Sequence, residues 1–431
     1  MTAFKFYTVH YSNTCSKMVF RVFFVLFLIV FLFLSSAHSE TVIDAGSLWN
    51  ADDYLTNPPK ATYGEKQAGL LVQEVYYEGE PYQGKPTRVF AYLGKPEGTA
   101  PFDGKFPAIL LIHGGGGKAF ANWAELWARR GYVALAMDLG GQGPNAPLPD
   151  GGPQQGNNEK FRDFTIEDGD YKNMWTYQSI AAILRGHALL IAQPEVNPNK
   201  IAVTGISWGG YLTCILAGVD PKLQVAVPVY GCGFIHENSP WKINSLNPMT
   251  PEQRNRWVSL FDPSSHLGRA TIPIFFVNGT NDVYPLDSYE KSYRLPKGET
   301  TISITLRRPH AHIFTFKEVD TFIDSVIFKN VKPSTKPLPK VSEMKTDEDG
   351  KSISVTFESE VPVVKAELAW TADTGEWSQR EWKTIPATIN NHTVSAVLPT
   401  PLPTCYYILL TDERGLPVSS PIKINETVNS K

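Results

Sequence analysis

Cysteine is scarce in this chain: 431 residues hold four, Cys15, Cys214, Cys232 and Cys405. No spacing among them resembles a metal site, and so few cannot form a disulfide framework. Cys214 and Cys232 fall in core-like segments. They read as buried free thiols, with a disulfide between them as the alternative. Charge is also thin, with 19% charged residues and a formal net charge of -3. A chain of this kind offers no basic field to nucleic acid or to an anionic membrane. Long apolar runs are missing except for one, Val22 to Leu34, which at 13 residues is short for a spanning helix. Lys17 and Arg21 precede it, and the small-residue stretch Ser35-Ser36-Ala37-His38-Ser39 follows. Residues 1–39 therefore read as a signal peptide, of ordinary length if translation starts at Met18, and a secreted or periplasmic mature chain with no membrane segment is expected. Its removal takes three positive charges and no negative ones, bringing the net charge to -6. There is no internal repeat and no low-complexity tract.

What the chain does have is apolar content, 42%, enough for one large core and a smaller second one. Two strand-like stretches between Leu70 and Leu93 flank a turn-rich Gly79–Pro86 segment, as in a hairpin. Short apolar strands without alternation then follow, at 107–113, 132–137, 200–204, 225–230, 272–277 and 301–306, with helical segments at 120–130 and 175–192. Strands of that kind separated by helices form a mostly parallel, doubly wound sheet covered on both faces. The stretch 329–340, with Pro333, Pro337 and Pro339, reads as a linker. Beyond it, strands at 352–357, 365–370, 392–397 and 405–410 alternate with period two, the pattern of a small all-β sandwich over 341–425.

The chemistry is concentrated at Gly205-Ile206-Ser207-Trp208-Gly209, which sits between a β-branched run and a helical segment. A strand-to-helix turn with serine at its apex exposes the hydroxyl, and the flanking glycines permit the turn. A nucleophile placed there needs an acid and then a base at the ends of later strands. Asp282 follows the 272–277 strand and is the expected acid, with Asp287 as the weaker alternative. His310 and His312 follow the 301–306 strand. His312, in the small-His-x-aromatic turn Ala311–Phe314, is the expected base, and His310 is the alternative. His113-Gly114-Gly115-Gly116-Gly117 follows the first apolar strand. Its glycines bring a backbone N–H toward a carbonyl oxygen as charge develops on it, with Gly115 the first choice, Gly116 the reserve and the N–H of Trp208 the second donor. A phosphate loop is the competing reading, but no Lys-Ser or Lys-Thr closes the run.

These stations resemble those of the α/β-hydrolases. Together with Ala136-Met137-Asp138-Leu139-Gly140-Gly141-Gln142-Gly143, they resemble the acetyl xylan esterase and dienelactone hydrolase branch over roughly residues 65–328. The carboxyl-terminal β segment is similar to an appendage of the PhoPQ-activated pathogenicity-related proteins. The resemblance implies a catalytic domain over 40–328 and ester hydrolysis through a serine acyl-enzyme, with no metal and no cofactor. The substrate it implies is a small-acyl ester of a small molecule or polysaccharide. Arg-Gly-Gln is common where this chain has Gly140-Gly141-Gln142, a departure that bears on substrate. A prolyl-oligopeptidase-like peptidase and an inert hydrolase domain in a binding protein are the other readings. The segment 231–268, with Phe234, Trp241 and Trp257, reads as a lid-like insertion. Trp370, Trp377 and Trp382 read as core of the β segment, with sugar stacking as the alternative.

Overall fold

A computed structural model describes residues 43–331 and 335–425. The expected leader lies outside the described residues, as do three residues of the expected linker. Nine strands build the hydrolase part of the sheet: β1 (Ala61–Lys66), β2 (Val72–Glu78), β3 (Arg88–Gly94), β4 (Phe106–Ile112), β5 (Val133–Met137), β6 (Val196–Ile206), β7 (Val225–Val229), β8 (Ile274–Gly279) and β9 (Thr300–Thr305). Their spatial order is 1-2-3-5-4-6-7-8-9. β1 to β3 run antiparallel, and β5, β4, β6, β7, β8 and β9 are parallel. Every residue of β5, β7 and β8 is buried, which is why these strands carry no polar alternation. Helices α1 (Ala121–Arg129), α2 (Trp175–Ile191) and α3 (Trp208–Val219) pack against the sheet.

The chain winds outward from β4 in one direction through β5 and in the other through β6 to β9. The carboxyl ends of β4 and β6 thus flank the switch point, where open α/β sheets bind ligands. Ser207 and the glycine run that begins at Gly114 emerge from those two strands.

The carboxyl-terminal strands form two layers. β10 (Lys340–Val341), β11 (Lys345–Thr346), β12 (Ser352–Glu358), β15 (Thr388–Asn390) and β16 (Thr393–Val397) make a five-stranded sheet. β13 (Val363–Thr371), β14 (Lys383–Pro386), β17 (Cys405–Asp412), β18 (Pro417–Ser419) and β19 (Lys423–Ile424) instead extend the hydrolase sheet beyond β9, in the order 9-18-17-13-14 with β19 beside β17. The junction is narrow. Ser419 pairs with Ile302, and its hydroxyl bonds both the Ile302 carbonyl and the Ile304 N–H. One face of β13 and β17 packs on the five-stranded sheet through Leu368, Ile408 and Leu410, while Trp377, Trp382 and Tyr407 belong to the hydrolase core. The sandwich expected over 341–425 therefore shares a sheet and a core with the hydrolase instead of standing apart. Trp377 and Trp382 are buried, and Trp370 is half-buried against the sandwich core. Cys214, Cys232 and Cys405 are all buried free thiols. Among the described residues no helix is long and apolar enough to cross a membrane.

Candidate functional site

Ser207 sits at φ 59°, ψ −118°, between β6 and α3. A side chain held at positive φ stores on the order of 1–3 kcal/mol and persists only where its surroundings enforce it. Here the Ser207 N–H donates to the Val229 carbonyl at 2.8 Å, and the flanking glycines let neighbouring backbone pack close around the turn. A Cβ on Gly205 would collide with the Gly209 carbonyl, and one on Gly209 with the Ile112 carbonyl.

The Ser207 hydroxyl is 2.8 Å from Nε2 of His310, and Nδ1 of His310 is 2.7 Å from Oδ2 of Asp282. With the Asp282 side chain fully buried, the imidazole donates from Nδ1 and accepts from the serine at Nε2. Asp282 also accepts from the Tyr284 N–H through Oδ1 at 2.9 Å. Asp287 lies on the following helix and bonds Asn238 instead.

The histidine differs from the one expected. His312 does not meet Ser207. Its Nε2 accepts the Gly114 N–H at 3.1 Å, its ring lies 5.2 Å from Phe120, and burial holds it below the ordinary imidazole value. The cause is where the loop is pinned. The Tyr230 hydroxyl donates to the Pro309 carbonyl at 2.8 Å and its ring packs on His310 at 4.8 Å, which fixes His310 beside Ser207. Phe314 stacks on Trp123 at 4.7 Å and draws the next residues toward α1, leaving His312 against the glycine loop.

That loop is held from several sides. His113 is buried, with Nδ1 2.8 Å from the Gly114 carbonyl and Nε2 accepting the Leu139 N–H at 2.9 Å. Burial pushes its imidazole down to about 4 and the neighbouring Asp138 carboxyl up to about 6. Gln155 takes the Gly116 N–H and donates to the Gly117 carbonyl, both at 3.1 Å, so the reserve donor is already engaged. Gly115 lies against the Trp208 ring, where a Cβ would come within 2.8 Å of the indole, and its N–H has no partner among the described residues. Trp208 opens α3, so its N–H is one of the unsatisfied donors of a helix start.

Aromatic rings enclose the serine turn. Trp208 meets Trp241 at 5.0 Å, Phe161 at 5.9 Å and Trp175 at 5.8 Å, and Trp241 meets Tyr284 at 4.8 Å. Trp257 is buried against Phe161, whereas Phe234 faces the exposed Lys291. Lys160 is buried with its ammonium over the rings of Trp175 and Trp208, and burial lowers it to about 8. Tyr230, Tyr284, Gln155 and Lys160 were not singled out in the sequence. None falls in a motif, and only the fold brings them to Ser207.

The sheet order, the serine turn at the switch point and the Ser207–His310–Asp282 line define an α/β-hydrolase. Within that class, residues 62–236 match the acetyl xylan esterase family, and residues 215–383 match the PhoPQ-activated pathogenicity-related protein family. The fold is shared with an acetyl xylan esterase from Paenibacillus sp. R4 (TM-score 0.54, 23% identity, 67% of this chain and 96% of that one). It is shared as well with acetyl xylan esterase 1 from Thermoanaerobacterium sp. (TM-score 0.51, 20% identity, 64% and 91%). Among curated proteins, acetyl esterase Axe7A of Xylanibacter ruminicola is 25% identical over 215 residues, 45% of this chain and 46% of its own length. Esterase Rv0045c of Mycobacterium tuberculosis is 30% identical over 120 residues, 28% of this chain and 31% of its own. The chain thus spans less than half the length of the curated relatives it matches.

Proposed function

We propose that this protein is an exported serine carboxylic ester hydrolase acting on small-acyl, acetyl-type esters of carbohydrates. The observation that carries the reading is the strained Ser207 bonded to His310, which is bonded in turn to the buried Asp282. In the mechanism, Ser207 Oγ attacks the ester carbonyl carbon while His310 Nε2 accepts the hydroxyl proton. Asp282 stabilises the imidazolium. The N–H groups of Gly115 and Trp208 receive the oxyanion, each such donor being worth roughly 3–4 kcal/mol in the transition state. Collapse breaks the bond to the alcohol oxygen, which leaves with the proton from His310. Water then adds to the acyl-enzyme by the same path, releasing the acid and restoring Ser207.

The acetyl preference is supported by the family match and by the crowded ring cluster at Trp208. Export is supported by the basic and apolar pattern of residues 17–34. The test is p-nitrophenol release from acetate, butyrate and octanoate esters by wild type and Ser207→Ala, followed by acetate release from acetylated xylo-oligosaccharides. Ser207-dependent turnover that falls with acyl length is the expected result. Turnover no greater than that of the variant would overturn the reading in favour of an inert domain or a peptidase.

A further inference from the structure

The residue before the acid is engaged in a way the hydrolase chemistry alone does not require. Asn281 directs its side-chain amide away from the triad, donating to the carbonyls of Arg380 at 2.8 Å and Ser378 at 3.1 Å. Both acceptors lie at the Trp377–Gln379 turn, between β13 and β14. Its Oδ1 accepts the Thr280 hydroxyl at 2.8 Å, and that hydroxyl accepts the Arg307 N–H at 3.0 Å. One short chain of bonds therefore links the carboxyl-terminal turn, the Asp282 loop and the strand end that leads to His310.

The turn is rigid enough to serve as an anchor. Trp377 is buried, and the Arg380 guanidinium lies 3.6 Å above its ring while donating twice to the Gly375 carbonyl. A side chain that satisfies two carbonyls at fixed positions leaves its own backbone little freedom, and Asp282 is the next residue. Among the described residues Asp282 accepts from one N–H besides the imidazole, so its aim depends on how the loop is held.

We propose that Asn281 is a positioning residue through which the carboxyl-terminal β module holds Asp282 against His310, so that the module is a part of the catalytic centre. This inference rests on the hydrolase reading for its catalytic consequence, but the brace itself is testable without substrate. A displacement of a reacting group by about 1 Å costs on the order of 100-fold in rate. Replacing Asn281 removes no substrate contact, so the loss falls on kcat.

The experiment compares wild type, Asn281→Ala and Asn281→Asp, the last keeping the shape but facing two carbonyl oxygens with acceptors. Trp377→Ala loosens the anchor from the other side. Two quantities are read. One is the low-field proton resonance of His310 Nδ1–H, assigned by its absence in His310→Gln. The other is kcat and KM on p-nitrophenyl acetate, with the melting temperature as the folding control. The expected result is loss of the resonance in folded Asn281→Ala and Asn281→Asp, a kcat lower by about 10- to 100-fold with KM within about twofold, and no further loss when Trp377→Ala is added. If Asn281→Ala does not fold, Asn281→Asp carries the comparison. A wild type without the resonance, or a folded variant that keeps both resonance and kcat, overturns the proposal. Loss of the resonance in a protein whose wild type has no Ser207-dependent turnover upholds the brace and rejects the hydrolase reading instead.

Discussion

His310 and His312 are two residues apart and serve different partners, so their substitutions separate cleanly. His310→Ala is expected to lower kcat on p-nitrophenyl acetate by about four orders of magnitude, since the proton acceptor is removed. His312→Ala, which frees one N–H of the glycine loop, should cost less than about tenfold. Steady-state kinetics of the two variants check this. Ser207 and Asp282 were legible in the sequence because each follows a strand directly. The histidine was not, because the choice depends on Tyr230 and Phe314 pinning the loop from elements far off in the chain. His113 gives a second prediction at this scale. Its imidazole is pushed from 6.5 to about 4, so its stabilisation is complete above 6.5 and is lost as the pH falls toward 4, by roughly 3 kcal/mol at about 1.4 kcal/mol per unit. Asp138, raised to about 6, acts in the opposite sense over pH 4–6. It is common to wild type and His113→Asn, so the gap in unfolding free energy between the two should narrow on acidification, as urea titrations would record. A gap that stays constant between pH 7 and 4 would refute this.

At the scale of elements, the segment between β7 and β8 places Trp241 against Trp208 beside the serine turn. Its aromatic content is plain in the sequence. Its contacts are not, since Phe161 and Lys160, which meet Trp257 and Trp208, come from the polar stretch after β5 that shows no apolar period. Trp241 packs on Trp208 beside the nucleophile, and removing an indole there enlarges the space for the acyl chain. Trp241→Ala is expected to raise kcat/KM for butyrate relative to acetate by about tenfold or more, a range that matches one or two methylenes in an apolar pocket. Rates on the two p-nitrophenyl esters give the ratio, and an unchanged ratio would place the acyl group elsewhere.

At the scale of the molecule, the hydrolase and the β module share one sheet and one core. Calorimetry of the protein should give a single unfolding transition, and the segment 341–425 alone should fail to fold, because Trp377, Trp382 and Tyr407 would lose the core they are buried in. Two resolved transitions would contradict this. The period-two alternation made the module's strands legible, but its union with the hydrolase was not, because the joint is a single small residue, Ser419, whose hydroxyl carries the connection. The same joint changes where the sheet ends. Without the module, β9 would be an edge strand, with the Ile302 carbonyl and the Ile304 N–H open to pairing with other chains. With it, the outermost strand at this end of the sheet is β14, four residues long and bearing Lys383 and Pro386, a charge and an imino acid that both resist further strand addition. At this end of the sheet the module thus replaces an edge open to edge-to-edge pairing with one that discourages it.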